Sequence, residues 1–292
     1  NYFISNLATS KLEEMPNRSM SKLVAFSQYA DEAYNYYYNV YQKTDPENAA
    51  RLARDSRKGI YLVQAYYSEK DSARLLIHYI KKHHLNVQLK DSDTESLSKE
   101  QLEALVNALN NQISVINGCA GSGKTYTIAR LVKILKDNDY SVTILAPSAM
   151  AAAVAADKTG IGDVDYSTIH RIARITPGDD DYGEEADKVK PGVIAEDVVI
   201  IDEMGMCDIC TFSHLLHAME GNSHTHLVLV GDTAQLPAIG PSGFFHQIVN
   251  AGNELLDIPV VELKEQHRSN KNEITTVANM IRRGEFPESL EE

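Results

Sequence analysis

The chain has 292 residues, 43% of them hydrophobic and 24% charged, with a formal net charge of -13. That is a globular composition sized for one large or two ordinary domains. It has no apolar run of about 18 residues to cross a membrane as a helix, and Cys119, Cys207 and Cys210 are too few for a disulfide framework, so a reducing, cytoplasmic setting is expected.

The acidic balance argues against a broad nucleic-acid footprint, but it is uneven. Residues 1–97 carry 13 basic and 12 acidic side chains, whereas residues 98–292 carry 15 and 29. Much of the excess sits in Asp179, Asp180, Asp181, Glu184, Glu185 and Asp187. A local acidic loop leaves other faces neutral or basic. The first residue is Asn1, so a processed or trimmed chain is expected.

In chain order, residues 1–20 are polar, are broken by Pro16 and read as an arm. Residues 21–41 have helical spacing, with Leu23, Phe26, Ala30, Ala33 and Tyr37 three to four apart. Asp45-Pro46-Glu47 resembles a helix start, with a helix running to about Tyr67. A further helix is predicted from about Asp71 to His84. Eleven of the 15 tyrosines precede residue 80, which suits core filling, with base stacking as the alternative. Residues 86–97 form a polar joint, so residues 1–95 are expected to be a small, mainly helical domain.

After the joint the pattern changes. Short apolar runs at Ile113–Asn117, Val142–Ala146, Val198–Asp202, Leu227–Gly231 and Val260–Leu263 alternate with helical stretches at 125–136, 149–157 and 209–219. Strands separated by helices predict an α/β domain with a parallel sheet over 96–292. A short acidic insert is expected at about 173–196.

Gly118-Cys119-Ala120-Gly121-Ser122-Gly123-Lys124-Thr125 fits G-x-x-x-x-G-K-[ST], after an apolar run and before a helical one. Glycines allow backbone N–H groups to wrap phosphate oxygens. Lys124 supplies a charge for the outer phosphates and Thr125 a hydroxyl for Mg²⁺. The run Val198–Ile201 ends in Asp202 and Glu203, a metal-holding carboxylate and a base for water. A second strand breaks at Gly231-Asp232-Thr233-Ala234-Gln235. Gln235 can sense the γ-phosphate or its water, or Asp232 and Gln235 can simply cap the turn.

Cys207-x-x-Cys210, with His214 and His217 nearby, can be read as half a zinc site or, more simply, as a helix with buried cysteines.

Together these elements resemble a superfamily 1 helicase of the RecD-like and Dda-like branch. Leu97-Ser98-Lys99-Glu100-Gln101 looks like the family's adenine-recognition motif, with Gln101 as reader. The phosphate loop and Asp202-Glu203-Met204-Gly205-Met206 resemble its ATPase motifs, although serine is commoner where Gly205 stands. Ala146–Ala152 resembles the next motif, and Ser167-Thr168-Ile169-His170 the DNA-contacting stretch. Leu263-Lys264-Glu265-Gln266-His267-Arg268 looks like the motif whose arginine, here Arg268, reaches the γ-phosphate. Residues 273–287 resemble the segment leading out of the first motor domain.

The resemblance covers about 97–287 and implies a RecA-like P-loop NTPase fold. Its expected nucleotide ligands are Gln101, Gly118, Gly121, Ser122, Gly123, Lys124 and Thr125, with Thr125 and Asp202 on Mg²⁺. Lys124, Glu203, Gln235 and Arg268 are the expected catalytic groups, and ATP and Mg²⁺ the cofactors. Single-stranded DNA and duplex junctions are the implied partners, met through Ser148, Thr168 and His170. Each of those three also has an ordinary reading: helix cap, turn residue and packed histidine.

The family's second motor domain is not visible, so an N-terminal portion of a longer 5′ to 3′ helicase is expected. The family's duplex-splitting ribbon would fall in the insert after Ile172. Its acidic residues suit a solvated loop at least as well. A kinase or a regulatory nucleotide-binding module is the alternative.

Overall fold

The computed structural model describes residues 63–80, 83–175, 192–240, 243–253 and 257–264. The expected arm and first helix, the acidic run 179–187 and the stretch bearing Arg268 lie outside the described residues.

Six strands form one parallel sheet in the order β3-β2-β4-β5-β1-β6. They are β1 (Ile113–Gly118), β2 (Val142–Ala146), β3 (Asp165–Thr168), β4 (Val198–Ile201), β5 (His226–Gly231) and β6 (Val260–Leu263). The inner four are buried at every position, as continuous apolar runs in a doubly covered parallel sheet should be. The five expected strands are all present. The unexpected one is β3, an edge strand of sequence Asp-Tyr-Ser-Thr that is exposed at its first two positions. It is held by main-chain pairing to β2, with Ala146 opposite Thr168, and has no apolar pattern by which to be found.

Because successive strand residues face opposite sides, each inner strand feeds two cores. Leu227 and Leu229 enter one, and Val228 and Val230 the other. The second core is closed by α3 (Lys99–Asn110), α4 (Lys124–Asp137) and α5 (Ala149–Asp157). The first is closed by α1 (Val63–Tyr79), α6 (Ile169–Ile172), α7 (Ile209–Met219) and α8 (Phe244–Ala251). There Phe212 stacks on Phe244 with ring centroids 4.7 Å apart. A one-turn α2 (Asp91–Thr94) precedes α3.

The helix expected to begin at Asp71 instead runs through it, from Val63 to Tyr79. Asp71 lies inside this helix, with its carboxylate buried against α7, 3.7 Å from His217 Nε2. Burial opposes protonation of His217, but its contacts with Asp71 and Glu220 outweigh that and raise its pKa. Ala73, Leu76 and Tyr79 join the core of α7, while Leu85, Val87 and Leu97 pack on the opposite face. Residues 63–80 and 83–97 therefore lie against opposite sides of the sheet. Tyr79 is fully enclosed, as core filling requires, and burial pushes its pKa up to about 12.

His226 opens β5 and is 0% exposed. Its Nδ1 faces the Ala108 carbonyl at 3.0 Å and its Nε2 faces His83 Nδ1 at 2.8 Å. A carbonyl only accepts, so Nδ1 carries the proton and Nε2 accepts from His83. Burial is the main force lowering its pKa to about 4, and His83 adds to it. A pKa below the unfolded value of 6.5 means stability present above pH 6.5 and lost as pH falls toward 4. The expected loss is about 2 kcal/mol by pH 5. Thermal melts of the native chain and of His226→Asn between pH 7 and pH 5 should differ in slope, with the variant losing several degrees less.

Candidate nucleotide-binding site

The phosphate loop leaves the buried strand β1 at Gly118 and enters α4 at Lys124. Gly121 and Gly123 have φ of 83° and 90°, which side-chain-bearing residues rarely adopt. Gly118 is needed for a different reason. A Cβ there would stand 2.5 Å from Ser122 Oγ and 3.1 Å from Leu263 Cβ.

Gly123 caps α4 without a side chain, so the first-turn N–H groups are left for a ligand. Ser122 is 1% exposed, and its Oγ is buried without a hydrogen-bond partner. Lys124 Nζ lies back over the loop and donates to the carbonyls of Gly118 and Cys119. A buried hydroxyl without a partner, uncapped first-turn N–H groups and a lysine held over a left-handed loop fit an anion such as a phosphate chain.

The carboxylates stand at the end of β4. Asp202 N donates to the Leu145 carbonyl (2.8 Å), and Asp202 Oδ1 accepts from Glu203 N (2.9 Å). Glu203 sits at φ 55°, ψ 39°, a left-handed conformation that costs a residue of its type about 1–2 kcal/mol. Burial raises the pKa of Asp202, partly opposed by the Glu203 N–H and by Lys124. Burial and the Asp202 charge raise that of Glu203, again opposed by Lys124. The lysine and both carboxylates thus share one electrostatic neighbourhood, and Glu203 is more basic than an ordinary carboxylate.

The third element is the turn after β5. Asp232 is 4% exposed and accepts from Ala234 N (3.0 Å), while Gln235 N donates to the Asp232 carbonyl (3.2 Å). Asp232 is therefore a turn-capping residue, and Gln235 projects from the same turn, exposed. Asn117, the last residue before the phosphate loop, brackets this turn. It accepts from Thr233 N (3.1 Å) and donates to Thr233 Oγ1 (3.2 Å). The sequence carries no signal for that cross-strand tie. Gly205 also backs on this turn, where a Cβ would meet the Asp232 carbonyl at 3.2 Å, so a serine there would be tight.

Other expected site residues hold local structure. Gln101 is 2% exposed and closes a capping box at the start of α3, accepting from Ser98 N at 2.9 Å. Ser148 caps α5 through Ala151 N, and Thr168 caps α6 through Arg171 N. Both stand at the carboxyl ends of neighbouring strands. His170 is exposed on α6, not packed in the core. Cys207 and Cys210 are buried in the α7 core, and burial drives the Cys207 thiol pKa up. Among the described residues no three His, Cys, Asp or Glu side chains gather into a metal site.

A family model described as an AAA domain matches residues 96–292. The chain belongs to this family. Over the same part of the chain it is similar to RecD proteins. The RecBCD enzyme subunit RecD of Mycobacterium tuberculosis is 27% identical over 206 residues, covering 64% of this chain and 34% of that protein. The ATP-dependent RecD2 DNA helicase of Deinococcus radiodurans is 28% identical over 198 residues, covering 66% and 25%. The chain thus spans about a third or less of the length of these relatives. The solved Pif1 helicase of Candida albicans aligns with a TM-score of 0.45 and 23% identity, over 66% of this chain and 45% of that one.

Ser122→Ala removes a hydroxyl that has no partner in the structure. Stability without nucleotide should stay within about 0.5 kcal/mol of the native value. Affinity for a fluorescent nucleotide should fall about tenfold, the worth of one hydrogen bond to a charged oxygen. A drop in melting temperature with unchanged affinity would reassign Ser122 to the fold.

Proposed function

We propose that the chain carries the first motor domain of an ATP-dependent DNA helicase that moves 5′ to 3′ on single-stranded DNA and opens duplex at junctions. The observation that carries this reading is the meeting of Lys124, Asp202 and Glu203 at the carboxyl ends of neighbouring strands of a parallel sheet, tied through Asn117 to the turn bearing Gln235. The names of the relatives, RecD and a RecD2 DNA helicase, support DNA as the substrate. The three free cysteines suit a cytoplasmic setting.

In this reading the loop N–H groups and Ser122 hold the phosphates. Thr125 and Asp202 would hold Mg²⁺, which supplies positive charge against the phosphate oxygens. Glu203 orients the attacking water and accepts its proton, a task helped by its raised pKa. Lys124 leaves its loop carbonyls to meet the charge that develops on the transferring group, and Arg268 joins it. Gln235 reports the state of that group through the turn shared with Asn117. For Gln101 to read adenine, its amide must turn away from Ser98 or use its other atoms. Ser148, Thr168 and His170 would meet the DNA strand through phosphate and sugar, contacts that need no base sequence.

The test is ATP hydrolysis by this chain and by one extended through a second motor domain, each with and without single-stranded DNA. DNA stimulation of the extended chain is expected. Glu203→Gln should lower turnover at least a hundredfold with nucleotide binding kept. Unwinding should require a 5′ tail on the duplex. Hydrolysis without DNA stimulation in the extended chain would favour a regulatory nucleotide-binding module. Unwinding from 3′ tails alone would overturn the direction.

A further inference from the structure

The outer face of α4 carries a groove lined by none of the phosphate-loop residues 118–125. It encloses about 540 Å³ and is lined by Tyr126, Arg130, Lys133 and Lys136 on the helix and by residues 159–161 across from it. Three cations at successive spacings of three residues share this face, in a chain whose formal net charge is -13.

The aromatic end of the groove is held in place. Tyr126 is 44% exposed, yet its hydroxyl is in hydrogen-bond contact with Ser96 Oγ, and Arg130 donates to Ser96 Oγ at 2.8 Å. The Arg130 guanidinium lies 5.9 Å from the centre of the Tyr126 ring. On the opposite wall, Gly160 has φ of 70° and open space where a side chain would be.

We propose that this groove binds the backbone of single-stranded nucleic acid, as a second contact separate from Ser148, Thr168 and His170. The chemistry fits in two ways. Arg130, Lys133 and Lys136 span about 9 Å of helix, room for about three phosphates at the spacing of a stacked strand. Tyr126 adds a fixed ring face on which a base stacks without regard to sequence. Gly160 lets the strand pass close to the opposite backbone. Asp137 opposes binding, since it pairs with Lys133 at 2.6 Å. Both partners of that pair are about half exposed, so a phosphate can displace the carboxylate at little cost.

The proposal rests on DNA being the substrate, and its test separates the two. Binding of the 292-residue chain to a fluorescent oligothymidine is followed by anisotropy over a range of salt concentrations, with thermal melts to confirm folding. Lys133→Glu with Lys136→Glu should weaken binding at least tenfold at low salt. It should also reduce the slope of log affinity against log salt by about 1.4, the value for two phosphate contacts on a single strand. Tyr126→Leu should weaken binding with the slope unchanged. Asp137→Asn keeps every cation and should tighten it. If the native chain binds but the lysine pair and Asp137→Asn leave affinity and slope alone, the groove is overturned while the DNA reading stands. No binding by the native chain overturns both.

Discussion

The site depends on one constraint: four strands buried on both faces of a parallel sheet. Such strands keep only apolar and neutral polar side chains along their length, as with His226 and Thr143, so every charged group they carry must emerge at an end. Parallel pairing makes that end the same for all of them. Asn117 lies opposite Gly231, and Ile201 opposite both Leu145 and Leu229. The phosphate loop, the Asp202–Glu203 pair and the Asp232–Gln235 turn therefore leave the sheet at one level. Their meeting needs no long-range design beyond register, and register is fixed because a one-residue slip would exchange the two cores.

At those strand ends the structure departs from local optimum in several places. Glu203 is left-handed without being glycine, Ser122 buries a hydroxyl without a partner, and two mutually repelling carboxylates are held close in partial burial. Lys124 meanwhile satisfies itself on its own loop. Each of these is costly alone, and each would be relieved or used by a bound polyphosphate with its cation. Departures grouped at one edge of an otherwise consistent fold mark a place where function sets the geometry.

What was legible in the sequence follows from the same constraint. Apolar runs reveal buried strands, so β1, β2, β4, β5 and β6 were readable, and the helices over 124–137, 149–157 and 209–219 matched their patterns within a residue. An edge strand such as β3 needs only main-chain pairing, so Asp-Tyr-Ser-Thr gave no pattern to read. The helix expected from about Asp71 is part of a longer one, Val63–Tyr79, because the polar Asp71 within it is buried against a partner on α7 that local spacing does not show. The tie between Asn117 and Thr233 spans 116 positions, and local pattern cannot report such a bond. Short motifs carried the chemistry but not the state of the side chains. Gln101, Ser148 and Thr168 match a functional pattern and also obey the ordinary capping rule.

That double use has a physical consequence. A residue that caps a helix is already oriented by its own backbone contact, so a ligand on the same face meets a group whose entropy has been lost beforehand. Thr168 and Ser148 are fixed in this way at adjoining strand ends, and a phosphate contact there would cost little further ordering. Gln101 is the contrasting case. Its Oε1 is taken up by Ser98 N inside a buried capping box, so using that atom on a base would mean breaking a hydrogen bond and exposing a helix end. The cap and a base would compete for one oxygen, so if Gln101 meets a nucleotide as proposed, the start of α3 has to rearrange when the ligand binds.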